Sequence, residues 1–178
     1  MAGTDWSTVD IEKIQEMQRL GEKLLEGQLA VATAADQRAM TLATMASTIL
    51  TAIVAGVIAL FTQEHLLSPL SAGGAGAAVA FLAATVCCTV AAWPDRDWFL
   101  PGNEPDRWCE PDVLAASMNV CLGGEVENYQ SYIDRNARHI KTNAIWLQAG
   151  LIAAALAPVA AAIPAFWLVW AVALPFGW

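Results

Sequence analysis

From Ile11 onward, apolar residues recur at helical spacing: Ile14, Met17, Leu20, Leu24 and Val31 stand three to four positions apart or at multiples of that step, with Leu25 and Leu29 widening the stripe. Glu12, Lys13, Glu16, Arg19, Glu22, Lys23 and Glu26 fill the positions between them. This period predicts an amphipathic helix. Ser7 or Thr8 is its expected N-cap, and Asp10 falls in the first turn, where a carboxylate complements the helix dipole. After Arg38 the pattern changes. Met40 to Phe61, Ala72 to Trp93, and Thr142 to Trp178 carry no charged residue. Each stretch reaches the roughly 20 residues that cross a hydrocarbon core. No proline occurs between Met1 and Ser68, so one helix can run from the arm through the first apolar stretch.

The segment between the second and third stretches mixes two patterns. Pro94, Pro101, Pro105 and Pro111 exclude a continuous helix over its first half. Pro101-Gly102-Asn103-Glu104 fits a tight turn in which Gly102 supplies a positive φ. Pro111 suits the first turn of a short helix that reaches about Val120 and stops at Gly123-Gly124. From Glu125, the residues Val126, Tyr129, Ile133, Ala137, Ile140 and Ala144 repeat at helical spacing and lead into the third stretch. This helix is the natural partner of the arm, within one copy or between copies, as a short coiled-coil-like stalk. The other outcome for either stripe is to lie on lipid headgroups.

The predicted fold is therefore an all-α integral membrane protein. It has three transmembrane helices, a long N-terminal cytoplasmic amphipathic helix, and a helical cytoplasmic segment between spans two and three. The expected organisation is an arm at 1–38, a hairpin at 39–93 with spans at 40–61 and 72–93, a Trp/Pro-rich loop with helices at 94–141, and a third span with an apolar tail at 142–178. The orientation follows from charge. All nine Lys and Arg residues fall in 1–38 and 94–141, and the link between the first two spans holds Glu64 and His65 but no Lys or Arg. By the positive-inside rule the N-terminus and the 94–141 segment are cytoplasmic. In the third stretch Pro158 and Pro164 predict a kink. The residues beyond 164 either continue the span or lie at the outer interface, and a fourth crossing would need a turn between these prolines.

Composition agrees with a membrane class: 57% of residues are hydrophobic and 15% charged, with a mean hydropathy of +0.46. A net charge of −8 argues against nucleic acid and anionic headgroups as partners. The expected partners are the bilayer, further copies of the chain, and a protein or small nucleotide ligand. Cys87 and Cys88 fall mid-span, and Cys109 and Cys121 are isolated on the cytosolic side. No disulfide framework, metal site or cofactor is expected.

Candidate functional residues form three groups. Thr41, Thr44, Thr48 and Thr51 place hydroxyls on one face of the first span. Such hydroxyls commonly serve helix packing by bonding a carbonyl one turn back. The sharper alternative makes Thr44, Thr48 and Thr51 the lining of an oligomeric pore, with Glu64 and His65 at its external mouth as a cation-selecting ring. Gly76, Ala80, Ala84 and Cys88 form a small-xxx-small ladder suited to close helix packing. Trp98, Gly102, Asn103 and Trp108 mark a loop that either binds a ligand or partner or anchors aromatic rings at the interface. No ionisable residue lies inside a span, which argues against an ion-coupled carrier. No catalytic motif is present, and Tyr129, Tyr132, Arg135, Asn136 and His139 read as a solvated helix face without a nucleophile.

The arm that runs into Ala35-Asp36-Gln37-Arg38-Ala39-Met40-Thr41-Leu42-Ala43, the tight hairpin and the further cytosolic helix together resemble small bacterial membrane effectors of nucleotide-signalled phage defence, the Pycsar transmembrane and SLATT-type proteins. The resemblance is one of layout over about the first 140 residues. It implies an oligomer in the bacterial inner membrane whose spans open or disrupt that membrane when a cyclic nucleotide or another trigger arrives. The expected function is thus a channel-like, membrane-permeabilising effector without enzymatic activity. The alternative is a non-catalytic anchor or accessory subunit that holds a protein partner at the membrane.

Overall fold

The structure, a computed structural model, describes residues 4–62, 68–94, 98–102 and 105–173. All regular structure among them is helical. Helix α1 runs from Ile11 to Thr62 as 52 unbroken residues, consistent with the absence of proline in that stretch. Its cap is Asp10: the Asp10 carboxylate accepts the Glu12 N–H at 3.1 Å, and the Asp10 carbonyl takes the Ile14 N–H. Ser7 and Thr8, the expected caps, instead lie in a short 3₁₀ turn, Trp6–Thr8. The turn forms because the Asp5 carboxylate draws in both the N–H and the hydroxyl of Ser7.

Helix α2 spans Pro69–Ala91, with Pro69 at its start and the Ser68 hydroxyl accepting the Ser71 N–H. After a 3₁₀ turn at Pro105–Cys109 come α3, Pro111–Ala115, and α4, Met118–Ala155. The expected stop at Gly123-Gly124 does not occur: α3 ends early, and α4 passes through both glycines. Helix α5 covers Ala157–Ala173 and contains Pro164. It bends from α4 by 41°. Pro158 accounts for the break, since it has no N–H for the Ala154 carbonyl and its ring crowds that turn.

Helices α1 and α2 are each long and apolar enough to cross a membrane, and the bent pair α4–α5 makes a third candidate if it forms one span. The chain divides into two compact units. One comprises 1–34 and 94–141, the other 35–93 and 142–178.

Candidate functional site

The unit of 35–93 and 142–178 holds the apolar helices. On α1, Ala39, Ala43 and Ala46 are buried, and Ile53 and Val57 are partly covered. A methyl added at Gly74 of α2 would come within 2.5 Å of Val57 Cγ2, so this glycine lets α1 and α2 approach closely. Helix α2 turns its other small residues to α4 and α5. A Cβ on Gly76 would collide with the Ala160 carbonyl, and one on Gly73 would lie 3.1 Å from the Ala161 carbonyl. Further along, Ala84 and Cys88 are buried. A Cβ on Gly150 of α4 would sit 2.6 Å from Cys88 Sγ and 3.2 Å from the Ala84 carbonyl. Ala80 lies between these contacts and is half-buried. The ladder of Gly76, Ala80, Ala84 and Cys88 is thus directed toward helices of its own chain.

The hydroxyl residues lie on the other side of α1. Thr41, Thr44, Thr48 and Thr51 are all exposed. Each donates its Oγ1–H to the carbonyl four residues earlier, at 2.8, 2.9, 2.9 and 2.8 Å. Their polar groups are therefore satisfied within the helix, while their methyls and Oγ atoms form a small, weakly polar outer face.

The unit of 1–34 and 94–141 packs the arm against α4. Ile14 and Leu25 are fully buried. Gly21 faces the Tyr129 ring so closely that a Cβ would lie 2.9 Å from Cδ2. The Gln28 amide donates to the Ile133 carbonyl at 3.0 Å. The Tyr129 hydroxyl donates to Glu22 Oε1 at 3.2 Å, and its pKa is pushed up to about 12, first by burial and then by the Glu22 carboxylate. Trp6 lies across α4 at Gly123, where any Cβ would enter the indole ring, and its Nε1–H donates to Glu127 at 3.0 Å. Gly123 is therefore a packing position within the helix and does not terminate it.

The buried face of the arm differs from the stripe expected from sequence. Gly21 and Gln28 meet α4 and Ile14 and Leu25 are buried, whereas Met17, Leu20, Leu24 and Val31 are 41, 53, 52 and 57% exposed. Tyr129 and Asn136 are likewise not on a solvated face, being 3% and 0% exposed. Asn136 holds the loop: it accepts the Phe99 N–H at 3.2 Å and donates to the Phe99 carbonyl at 2.9 Å. Phe99 stacks on Tyr132 with centroids 4.3 Å apart, and the Arg135 guanidinium lies 5.5 Å from the Phe99 ring centre. No spacing rule marks an asparagine on an apparently polar helix face as a loop clamp.

Of the loop candidates, Trp98 is half-buried, with its indole N–H buried and without an acceptor among the described residues. Gly102 is exposed with φ of 94°, the turn conformation that glycine adopts without strain. Trp108 lines a cavity of about 320 Å³ whose other walls include Arg107, Glu110, Asp112, Val113 and Glu125. Three carboxylates against one guanidinium make this cavity better suited to a basic group than to a phosphate. Asn103, Glu64 and His65 lie outside the described residues. Among the described residues, no cluster of His, Cys, Asp and Glu has the proximity needed to hold a metal ion.

These features define an α-helical protein with two or three helices able to cross a membrane and a second helical unit built on the arm. No family model, curated protein or solved structure matches the chain.

Proposed function

We propose that the chain is an oligomeric effector of the bacterial inner membrane, oriented with its N-terminus in the cytoplasm, that makes the membrane permeable to ions. The observation that carries this reading is the outward hydroxyl face of α1. Lipid-facing positions on a lone span need no polar groups, whereas Thr44, Thr48 and Thr51 form a band of them. The small residues of α2 face the chain's own helices, and the exposed side of α1 is open to contacts between copies. Copies arranged with these faces inward would line a path with hydroxyls. The cytoplasmic orientation rests on the distribution of Lys and Arg. The setting in nucleotide-signalled phage defence rests on the resemblance of layout. The trigger is received by the unit of 1–34 and 94–141, where the acidic lining of the cavity favours a basic group of a protein partner over a nucleotide phosphate.

One observation supports a second reading. Every hydroxyl on the face already has a backbone acceptor, so the face is stable without water. In that case the chain is a non-conducting anchor that holds a protein at the membrane through its second unit. Ion leakage from liposomes containing the purified chain separates the two readings. Leakage from the chain alone, or after addition of a candidate nucleotide or a basic peptide, supports the effector, and liposomes that stay tight under all three conditions support the anchor.

A further inference from the structure

The cavity in the unit of 1–34 and 94–141 combines an aromatic and apolar lining with an excess of carboxylates. It measures about 320 Å³, and all of its lining lies within residues 107–128. Trp108, Val113, Cys121 and Glu125 are the half-buried part of that lining, while Arg107, Glu110 and Asp112 are exposed. The Cys121 thiol donates to the Val113 carbonyl at 3.4 Å, so its sulfur serves the cavity as apolar wall. Glu125 is different. Its Oε2 is buried and accepts no hydrogen bond among the described residues. A carboxylate partly withdrawn from water in this way is costly, and a cation brought close to it offsets that cost. Arg107 does not bond the buried oxygen.

This lining disfavours three classes of ligand. A phosphate would meet three carboxylates against one guanidinium. A metal ion needs several ligands at one point, and no three His, Cys, Asp or Glu side chains among the described residues converge in that way. A neutral apolar molecule would leave Glu125 uncompensated. An organic cation suits both the carboxylates and the apolar walls. A guanidinium suits them better than an ammonium: it is planar, more weakly hydrated, stacks on an aromatic face such as that of Trp108, and offers paired N–H donors to a carboxylate. The volume is at the small end for ligand pockets, which matches one side chain and not a folded surface.

We infer that this cavity binds a guanidinium group on a short carbon stem, with Glu125 as its anionic partner and Trp108 as its stacking wall. Val113 and Cys121 cover the stem, and the exposed Glu110 and Asp112 attract the cation from solution. The inference rests on the reading that this unit receives the trigger, and it names the chemistry of that trigger. Either an arginine of a polypeptide or a free alkylguanidine carries the required group.

The test is a ligand titration of the full chain in a non-ionic detergent, followed by saturation-transfer NMR. The probes are acetylarginine amide, butylguanidine, acetyllysine amide and acetylcitrulline amide, the last being the neutral counterpart of the first. Saturable binding of a guanidine is expected, about tenfold or more tighter than that of the citrulline compound and tighter than that of the lysine compound. Glu125→Gln should weaken it about tenfold or more, whereas Glu12→Gln, which removes an exposed charge away from the cavity, should change it less than about twofold. Ala116 is exposed and lines the cavity. Ala116→Trp therefore fills the space with every carboxylate retained, and it should abolish binding even if Glu125→Gln fails to fold. Lack of saturable binding by either guanidine overturns the inference, as does equal binding of the citrulline or lysine compound, or unchanged binding in a folded Glu125→Gln or Ala116→Trp protein. Acetylarginine amide binding at least as tightly as butylguanidine supports the inference with a polypeptide arginine as the source. Binding of butylguanidine alone supports it with a free guanidine as the source. Leakage is measured separately: binding by a protein that never leaks keeps this site and rejects permeation, and leakage without guanidine binding does the reverse.

Discussion

Asn136 is fully buried and grips the backbone of Phe99 at both polar atoms, accepting from its N–H at 3.2 Å and donating to its carbonyl at 2.9 Å. A primary amide is the side chain that meets a peptide group this way, because it offers a donor and an acceptor side by side. The contact ties the loop at 98–102 to α4 and sets Phe99 on Tyr132.

Replacing Asn136 with Ala should destabilise this unit by about 2–4 kcal/mol, because two backbone groups lose partners in a buried setting. Asn136→Asp keeps the acceptor but loses the donor. Thermal melts followed by circular dichroism in detergent should rank the variants wild type, then Asp or Ala well below it. A melting temperature unchanged in Asn136→Ala would show that the clamp contributes nothing.

The adjacent glycines of α4 should respond in opposite directions. Gly123→Ala drives a methyl into the Trp6 indole and should cost about 1–3 kcal/mol through overpacking. Gly124 has open space around its would-be Cβ, so Gly124→Ala should stabilise the helix by up to about 1 kcal/mol. The same melting experiment tests both, and equal effects would contradict the packing role of Gly123.

Tyr129 gives the unit a pH limit on the alkaline side. Its folded pKa, about 12, lies above the ordinary tyrosine value near 10. The folded state therefore keeps the proton more tightly than the unfolded state. The associated stability is complete below pH 10 and is lost as pH rises from about 10 to about 12. A titration by tyrosinate absorbance should contain a component near 12 that disappears in Tyr129→Phe. The phenylalanine variant should also lose less stability across that window than the wild type.

In the apolar unit, Gly76→Leu should force α2 away from α5, since even a Cβ at this position meets the Ala160 carbonyl. The expected loss is about 1–3 kcal/mol or more. Gly56→Leu, on α1 with nothing near its Cβ position, is the matched control. Resistance to denaturing detergent on gels should fall for the first and persist for the second.

The long-range architecture was legible because simple physics determines it. An apolar stretch of span length and the absence of proline account for α1 and α2, and Pro158 marks the bend before α5. Details that depend on which residues meet were not legible. Gly21 and Gln28 do not count as apolar, yet they lie on the buried side of the arm, because Tyr129 needs the space and the Ile133 carbonyl accepts a bond. Met17, Leu20 and Leu24 dominate the hydrophobic pattern and remain exposed. Gly123-Gly124 looked like a helix stop because glycine propensity is low, but packing of Trp6 outweighs propensity there. The hydroxyl face was visible as a spacing of threonines, while the side of α1 it occupies depends on where α2 packs.

In the proposed effector, copies of the chain assemble with the hydroxyl face of α1 along an ion path. This assembly is tested most directly by measuring oligomeric mass and ion flux on one purified sample, wild type beside Thr48→Leu. A defined homo-oligomer that conducts is expected, with flux falling about tenfold or more in Thr48→Leu at unchanged mass, as a leucine ring dewets the path. A tight monomer, or equal flux from both proteins, would contradict it.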